Sequence, residues 1–226
     1  MNVQGSSRAG LTASAAPIDS ISPSRVYNIT RPLLHRHYII SSADDQPLLY
    51  GEISSFTPNK PDLTLHAGAS SQAPIVAVSN FLKLSGNYKL GIGNPDAAGN
   101  MIWEDMTKEL IHKPKYRFEM IIPLEPDQSQ GERRAFLWKR THSVGIGDSA
   151  PSKWTTQNYK LVNERTEKVL AVSSGATRPG RVGKLQIRVE YGEEFDRMVL
   201  ISCLSLYEKA RRRRHHAAGG GGGGGG

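Results

Sequence analysis

Cysteine is nearly missing from this chain: Cys203 is the only one in 226 residues. No intrachain disulfide can form, and a Cys-based zinc site has no ligand set. No basic segment followed by an apolar stretch opens the sequence, so the ordinary secretory signal is not expected. The sequon Asn28-Ile29-Thr30 then has no enzyme to meet, and a reducing intracellular compartment is the expectation. The most apolar run, Met198 to Tyr207, is ten residues long. At about 1.5 Å per residue it reaches about 15 Å, half of a roughly 30 Å hydrocarbon core. No transmembrane span is expected.

Patterns that carry chemistry are equally sparse. Gly91-Ile92-Gly93 and Val144-Gly145-Ile146-Gly147 lack the third glycine and the following helix of a phosphate loop. His142, Ser143 and Asp148 supply the residue types of a hydrolytic triad without a nucleophile elbow. His35 and His37 share one face of a strand but have no third ligand at a recognisable spacing. Glu104 and Asp105 are adjacent in a strand and point to opposite faces, which is wrong for paired acid–base work. The chain therefore reads as non-enzymatic, with no catalytic residues, no cofactor and no metal.

What is present is positive charge, and its location matters. The net charge is +8, of which Lys209 and Arg211 to Arg214 supply five, leaving +3 (8 − 5) for the rest of the chain. Basicity concentrated in one short run is a weak case for a folded nucleic-acid surface, and nucleic acid is not an expected partner.

The basic run closes a segment that reads as one helix, about 193–211. Glu193 and Glu194 sit where a helix N-terminus favours acids, and Lys209 onward where the C-terminus favours bases. Between them, Met198 to Tyr207 carries no charge, and Ser202 and Ser205 are its polar interruptions. Wound at 3.6 residues per turn, its apolar groups cover every face, so the helix must be enclosed on all sides. Burying seven such side chains is worth on the order of 10–20 kcal/mol gross, an upper bound that still rivals the net stability of a typical domain.

Upstream of the helix the periodicity is two rather than 3.6. In Lys115-Tyr116-Arg117-Phe118-Glu119-Met120-Ile121-Ile122, the even positions are apolar and 115, 117 and 119 are charged. Lys184 to Glu190 and Tyr88 to Ile92 repeat the scheme. About twelve such runs are expected: 37–41, 48–54, 63–67, 75–82, 88–92, 101–104, 109–112, 116–122, 134–140, 158–163, 169–173 and 184–190. Short strands with one wet face each, and one helix apolar all round, combine as a closed antiparallel barrel of about twelve strands around that helix. Mainly β with one buried α-helix is the expected fold class. Residues 1–33, rich in Ser, Ala, Gly and Pro, are expected to be disordered, 34–212 to form the barrel, and 213–226 to be a disordered glycine-rich tail.

Several blocks resemble a known family. They are Trp103-Glu104-Asp105, Tyr116 to Glu119, Arg134 to Thr141, and Tyr191-Gly192-Glu193-Glu194-Phe195-Asp196-Arg197-Met198 through Arg212. Together they resemble the fungal branch of the tubby C-terminal-like superfamily, which also holds the phospholipid scramblases and the LURP-one-related proteins. The resemblance covers about residues 35–212. It implies a roughly twelve-stranded barrel around a central hydrophobic helix, and a binding module for anionic phospholipids such as phosphoinositides at a membrane surface. No EF-hand-like spacing of acids supports the calcium site attributed to scramblases.

Headgroup candidates are the outward-facing Lys89, Lys115, Arg117, Arg133, Lys139 and Arg140, alongside the basic run Lys209, Arg211, Arg212, Arg213 and Arg214. The alternative is a protein-interaction or nuclear adaptor that uses the basic tail as an address. The expected partners are accordingly an anionic membrane lipid or a protein. A cytoplasmic location with a peripheral membrane or nuclear fraction fits both.

Overall fold

A computed structural model describes residues 24–219, apart from 55–56, 84, 96–100, 110–113, 124–130, 148–150, 152–154, 156 and 177–179. Among them are twelve strands: β1 (Arg25–Thr30), β2 (His37–Ser41), β3 (Pro47–Ile53), β4 (Leu63–His66), β5 (Ile75–Phe81) and β6 (Tyr88–Ile92) form the first half. β7 (Ile102–Glu109), β8 (Lys115–Pro123), β9 (Gly131–Arg140), β10 (Tyr159–Asn163), β11 (Val169–Gly175) and β12 (Arg181–Ile187) form the second. Each pairs antiparallel with its neighbours in sequence, and β1 pairs with β12 to close the ring. Closure gives every strand a neighbour on both sides, although β7 and β8 are laddered only between Thr107–Glu109 and Lys115–Arg117. The alternation read from the sequence sorts as expected: Tyr116, Phe118, Met120 and Ile122 of β8 are buried, while Arg117 and Glu119 face outward.

One helix, α1 (Glu193–Gly219), threads this ring. Every residue from Met198 to Leu206 is buried, on all faces of the helix. Its backbone lies nearest β4, β5 and β6. The wider gap to the opposite wall is filled by Phe118, Phe136 and Trp138, and Phe195 packs on Phe136 with ring centres 5.4 Å apart. The two serines of the apolar run are satisfied rather than exposed. Ser205 Oγ donates to Ser79 Oγ of β5 at 2.7 Å, and Trp138 Nε1 of β9 donates to Ser202 Oγ at 3.0 Å. A hydroxyl buried without a partner would cost about 1–3 kcal/mol. No helix among the described residues is long and apolar enough to cross a membrane.

Three boundaries differ from the sequence reading. Disorder was expected to residue 33, but Arg25–Thr30 is the strand that closes the barrel. Only Ile29 of that strand is buried, so its amphipathic signal is too faint to stand out beside a Ser- and Pro-rich stretch. The expected runs at 101–104 and 109–112 are not two strands: β7 runs unbroken from Ile102 to Glu109, and 110–112 lie outside the described residues. The count of twelve survives because the missed β1 offsets the extra one. The start of the tail also moves, since α1 continues to Gly219 instead of ending near 211. Residues 1–23 and 220–226, also called disordered, lie outside the described residues.

Salt bridges fix the direction of the helix in the ring. Near its start, Asp196 accepts two bonds from the Arg25 guanidinium of β1, at 2.7 and 2.8 Å. Near its exit, Arg212 donates to Asp62 at 2.5 Å and to the Ser54 carbonyl at 2.8 Å, both between β3 and β4. Because every neighbouring pair is antiparallel, the C-terminal ends of β1, β3, β5, β7, β9 and β11 and the N-terminal ends of β2, β4, β6, β8, β10 and β12 all lie at this exit end.

Candidate functional site

Two regions concentrate cations, and they differ in how those cations are met. The first is the outer wall of β6 to β9. Outward positions on neighbouring strands bring Lys89, Arg117 and Arg133 around an open groove of about 520 Å³. The same groove is lined by Glu104, Asp105 and Glu119, so its formal charge is zero (3 − 3). Arg133 donates to Glu104 at 2.6 and 2.9 Å and to Glu119 at 2.7 Å. Arg117 bridges Glu119 at 2.7 Å and Glu164 at 3.0 Å. Hydrogen bonds from Arg133 and Arg117 hold the Glu119 carboxyl below its usual range. Lys89 lies over the half-exposed Trp103 ring, 5.3 Å from its centre.

Of the other wall candidates, Lys139 is paired with Glu167 at 2.6 Å. Arg140 lies over the Tyr159 ring at 5.9 Å, at the rim where the helix leaves. Lys115 begins β8 at that same end. The sequence thus named residues that the fold distributes between a charge-balanced wall and a rim.

The second region is the exit end itself. Glu208, fully buried immediately before the basic run, collects four bonds there. Tyr38 OH donates to it at 2.6 Å, Arg211 twice at 2.7 Å and Arg212 at 2.9 Å. Burial works against its ionisation, but the bonds from Arg211, Tyr38 and Arg212 outweigh that and hold the carboxyl below its usual 4.5. Lys209 folds back as well. Its ammonium donates to the carbonyls of Ser85 at 3.1 Å and Asn87 at 3.3 Å and lies 4.4 Å from the centre of the Tyr88 ring. Burial, with repulsion from Arg213, lowers its pKa to about 8. Lys209, Arg211 and Arg212 are therefore parts of the barrel mouth and not a flexible tail.

Arg213 and Arg214 are the members of the run that remain exposed, on the next turn of the same helix. Neither makes an ion pair among the described residues. Around them the fold adds cations that sequence reasoning did not pick out. Arg31 follows β1, Arg36 precedes β2, Lys83 lies in the β5–β6 turn and Arg181 opens β12; none has an ion-pair partner among the described residues. Arg31 Nε is buried without a hydrogen-bond partner. Asp62 and Glu208 are already engaged by Arg212, while Glu109 at the end of β7 has no ion-pair partner among the described residues. No local spacing joins residues 31, 36, 83, 181 and 213–214; barrel topology alone brings them to one end.

Comparison with known proteins assigns no family and no function. No protein-family model matches the chain, and no curated protein does either. Among solved structures, the X-ray structure of a protein from Arabidopsis thaliana aligns with 84% of this chain and 95% of that one. The identity is 8% and the TM-score 0.49, a level at which no ligand or activity transfers.

Proposed function

We propose that this protein is a non-enzymatic binding module that docks by the helix-exit end of its barrel on anionic phospholipid surfaces. The observation that carries this reading is the contrast between the two cationic regions. On the wall, Arg117, Arg133 and Lys139 have carboxylate partners within 3.0 Å. At the exit end, Arg31, Arg36, Lys83, Arg181, Arg213 and Arg214 have none among the described residues. A cation already matched by an acid gains little from a phosphate, whereas an unmatched one contributes about 1 kcal/mol near an anionic leaflet. The exit-end cations are also preorganised, because α1 is clamped by Glu208 and the others stand on strand ends.

Vesicle sedimentation tests it. The full chain should pellet with vesicles containing phosphatidylserine or phosphoinositide and stay in solution with phosphatidylcholine alone. Replacing Arg213 and Arg214 by Ala removes about 2 kcal/mol, or roughly 30-fold in affinity. Removing Arg117 and Lys139 should change binding far less. Equal pelleting with charged and neutral vesicles would sink the proposal. Phosphoinositide beside phosphatidylserine at matched charge shows whether a particular headgroup is preferred.

A second reading, a protein-interaction or nuclear adaptor that uses the basic run as an address, draws on the exposed Arg213 and Arg214. For that reading the informative change is also Arg213 and Arg214. Deleting Arg211 and Arg212 would damage the fold, which confounds any change in localisation.

A further inference from the structure

Among the exposed large apolar side chains, two adjacent ones stand out. Leu33 is 67% exposed and Leu34 is 102% exposed, at the tip of the β1–β2 turn. Leu34 also has a left-handed backbone, with φ 68°. For a residue with a bulky branched side chain that conformation is costly, and Asn or Gly would occupy it with little strain. Nothing packs against Leu34 to offset the cost. The turn is nevertheless fixed in place. His35 N donates to the Pro32 carbonyl at 3.2 Å, Arg31 N to the Gly180 carbonyl at 2.9 Å, and Ile53 N to the Arg36 carbonyl at 3.0 Å. A strained, unpacked leucine held away from the body on a braced turn serves something outside the molecule.

The surroundings say what that is. The turn lies at the helix-exit end, since Tyr38 at the start of β2 bonds Glu208. Arg31 and Arg36 flank the two leucines and have no ion-pair partner among the described residues. At the same end, the β5–β6 turn repeats the pairing on a smaller scale, with Leu82 42% exposed beside Lys83. Apolar tips ringed by unmatched cations complement a surface that is anionic outside and apolar a few ångströms beneath. A protein pocket for two leucines would not need the cations, and a polyanionic protein would not need the leucines.

We infer that the β1–β2 turn is a membrane-insertion loop: Leu33 and Leu34 enter the acyl boundary of an anionic bilayer while Arg31 and Arg36 remain with the phosphates. This deepens the membrane reading above and rests on it. Docking by charge alone would be shallow and lost at high salt. Insertion adds a component that salt does not screen.

The test uses the full chain with Leu34→Cys carrying a polarity-sensitive dye, in a Cys203→Ser background. Mixing with vesicles of phosphatidylserine and phosphatidylcholine should shift the dye emission to the blue, and lipids carrying quenchers in the acyl chain should quench it. The unlabelled variant Leu33→Asn/Leu34→Asn should bind the same vesicles about tenfold or more weakly, and most clearly at high salt. Its thermal midpoint should not fall, because asparagine tolerates the left-handed backbone. If the parent chain binds but the dye does not respond and the Asn variant binds equally, insertion is refuted while docking stands. If the parent ignores anionic vesicles altogether, both fall. Binding of the leucines to a purified protein pocket with no response to vesicles would likewise overturn insertion.

Discussion

Glu208→Gln is the sharpest probe of how the barrel holds its helix. The carboxylate is fully buried and is shared by Tyr38, Arg211 and Arg212. The amide keeps the shape and can still accept from Tyr38, but it removes the charge that two guanidiniums face. Breaking a buried ion pair from one side costs about 3–5 kcal/mol. The Arg211 and Arg212 side chains keep 19% and 17% of their surface, and Arg212 retains Asp62. The lower end therefore applies, about 3 kcal/mol, or roughly 6–12 °C in Tm for a domain of this size. Urea unfolding followed by tryptophan fluorescence should show the midpoint falling with the slope unchanged. Adding Arg211→Met to Glu208→Gln should recover part of the loss, because it removes one stranded charge. The pH dependence follows from the sign of the shift. The folded carboxyl lies below 4.5, so its contribution is present above pH 4.5 and is lost as pH falls through the folded value. The variant should lack that part of the acid transition. A loss under about 1 kcal/mol, with an unchanged acid limb, would refute the clamp.

Cys203 lies between α1 and β11, where burial pushes its thiol up to about 11. Ellman's reagent should therefore leave the native protein unmodified and react only across the urea range of global unfolding; rapid labelling in buffer would contradict an enclosed helix. Gly183→Ala should destabilise by about 2–3 kcal/mol. Its Cβ would lie 2.0 Å from the Ser174 carbonyl oxygen at a backbone φ of 153°, and a neutral result would mean that β11 and β12 can part there.

The alternation of Tyr116 to Ile122 and the uncharged, mainly apolar stretch from Met198 to Leu206 are local properties, with periods of two and 3.6 residues. Solvent partition alone turns them into a wall and an enclosed rod. That is why strand, helix and barrel are legible in the sequence. The sequence could not reveal that Arg25–Thr30 is the closing strand, because its hold comes from pairing with β12 about 155 residues away and from Asp196 on the helix. Nor could it separate spent cations from free ones. Arg117 and Arg133 look as available as Arg213 until Glu164 and Glu104 are brought across from other strands. Periodicity fixes which face a side chain takes, whereas ion pairing and the crowding of Arg31, Lys83, Arg181 and Arg213 at one end depend on which distant strands the ring places side by side.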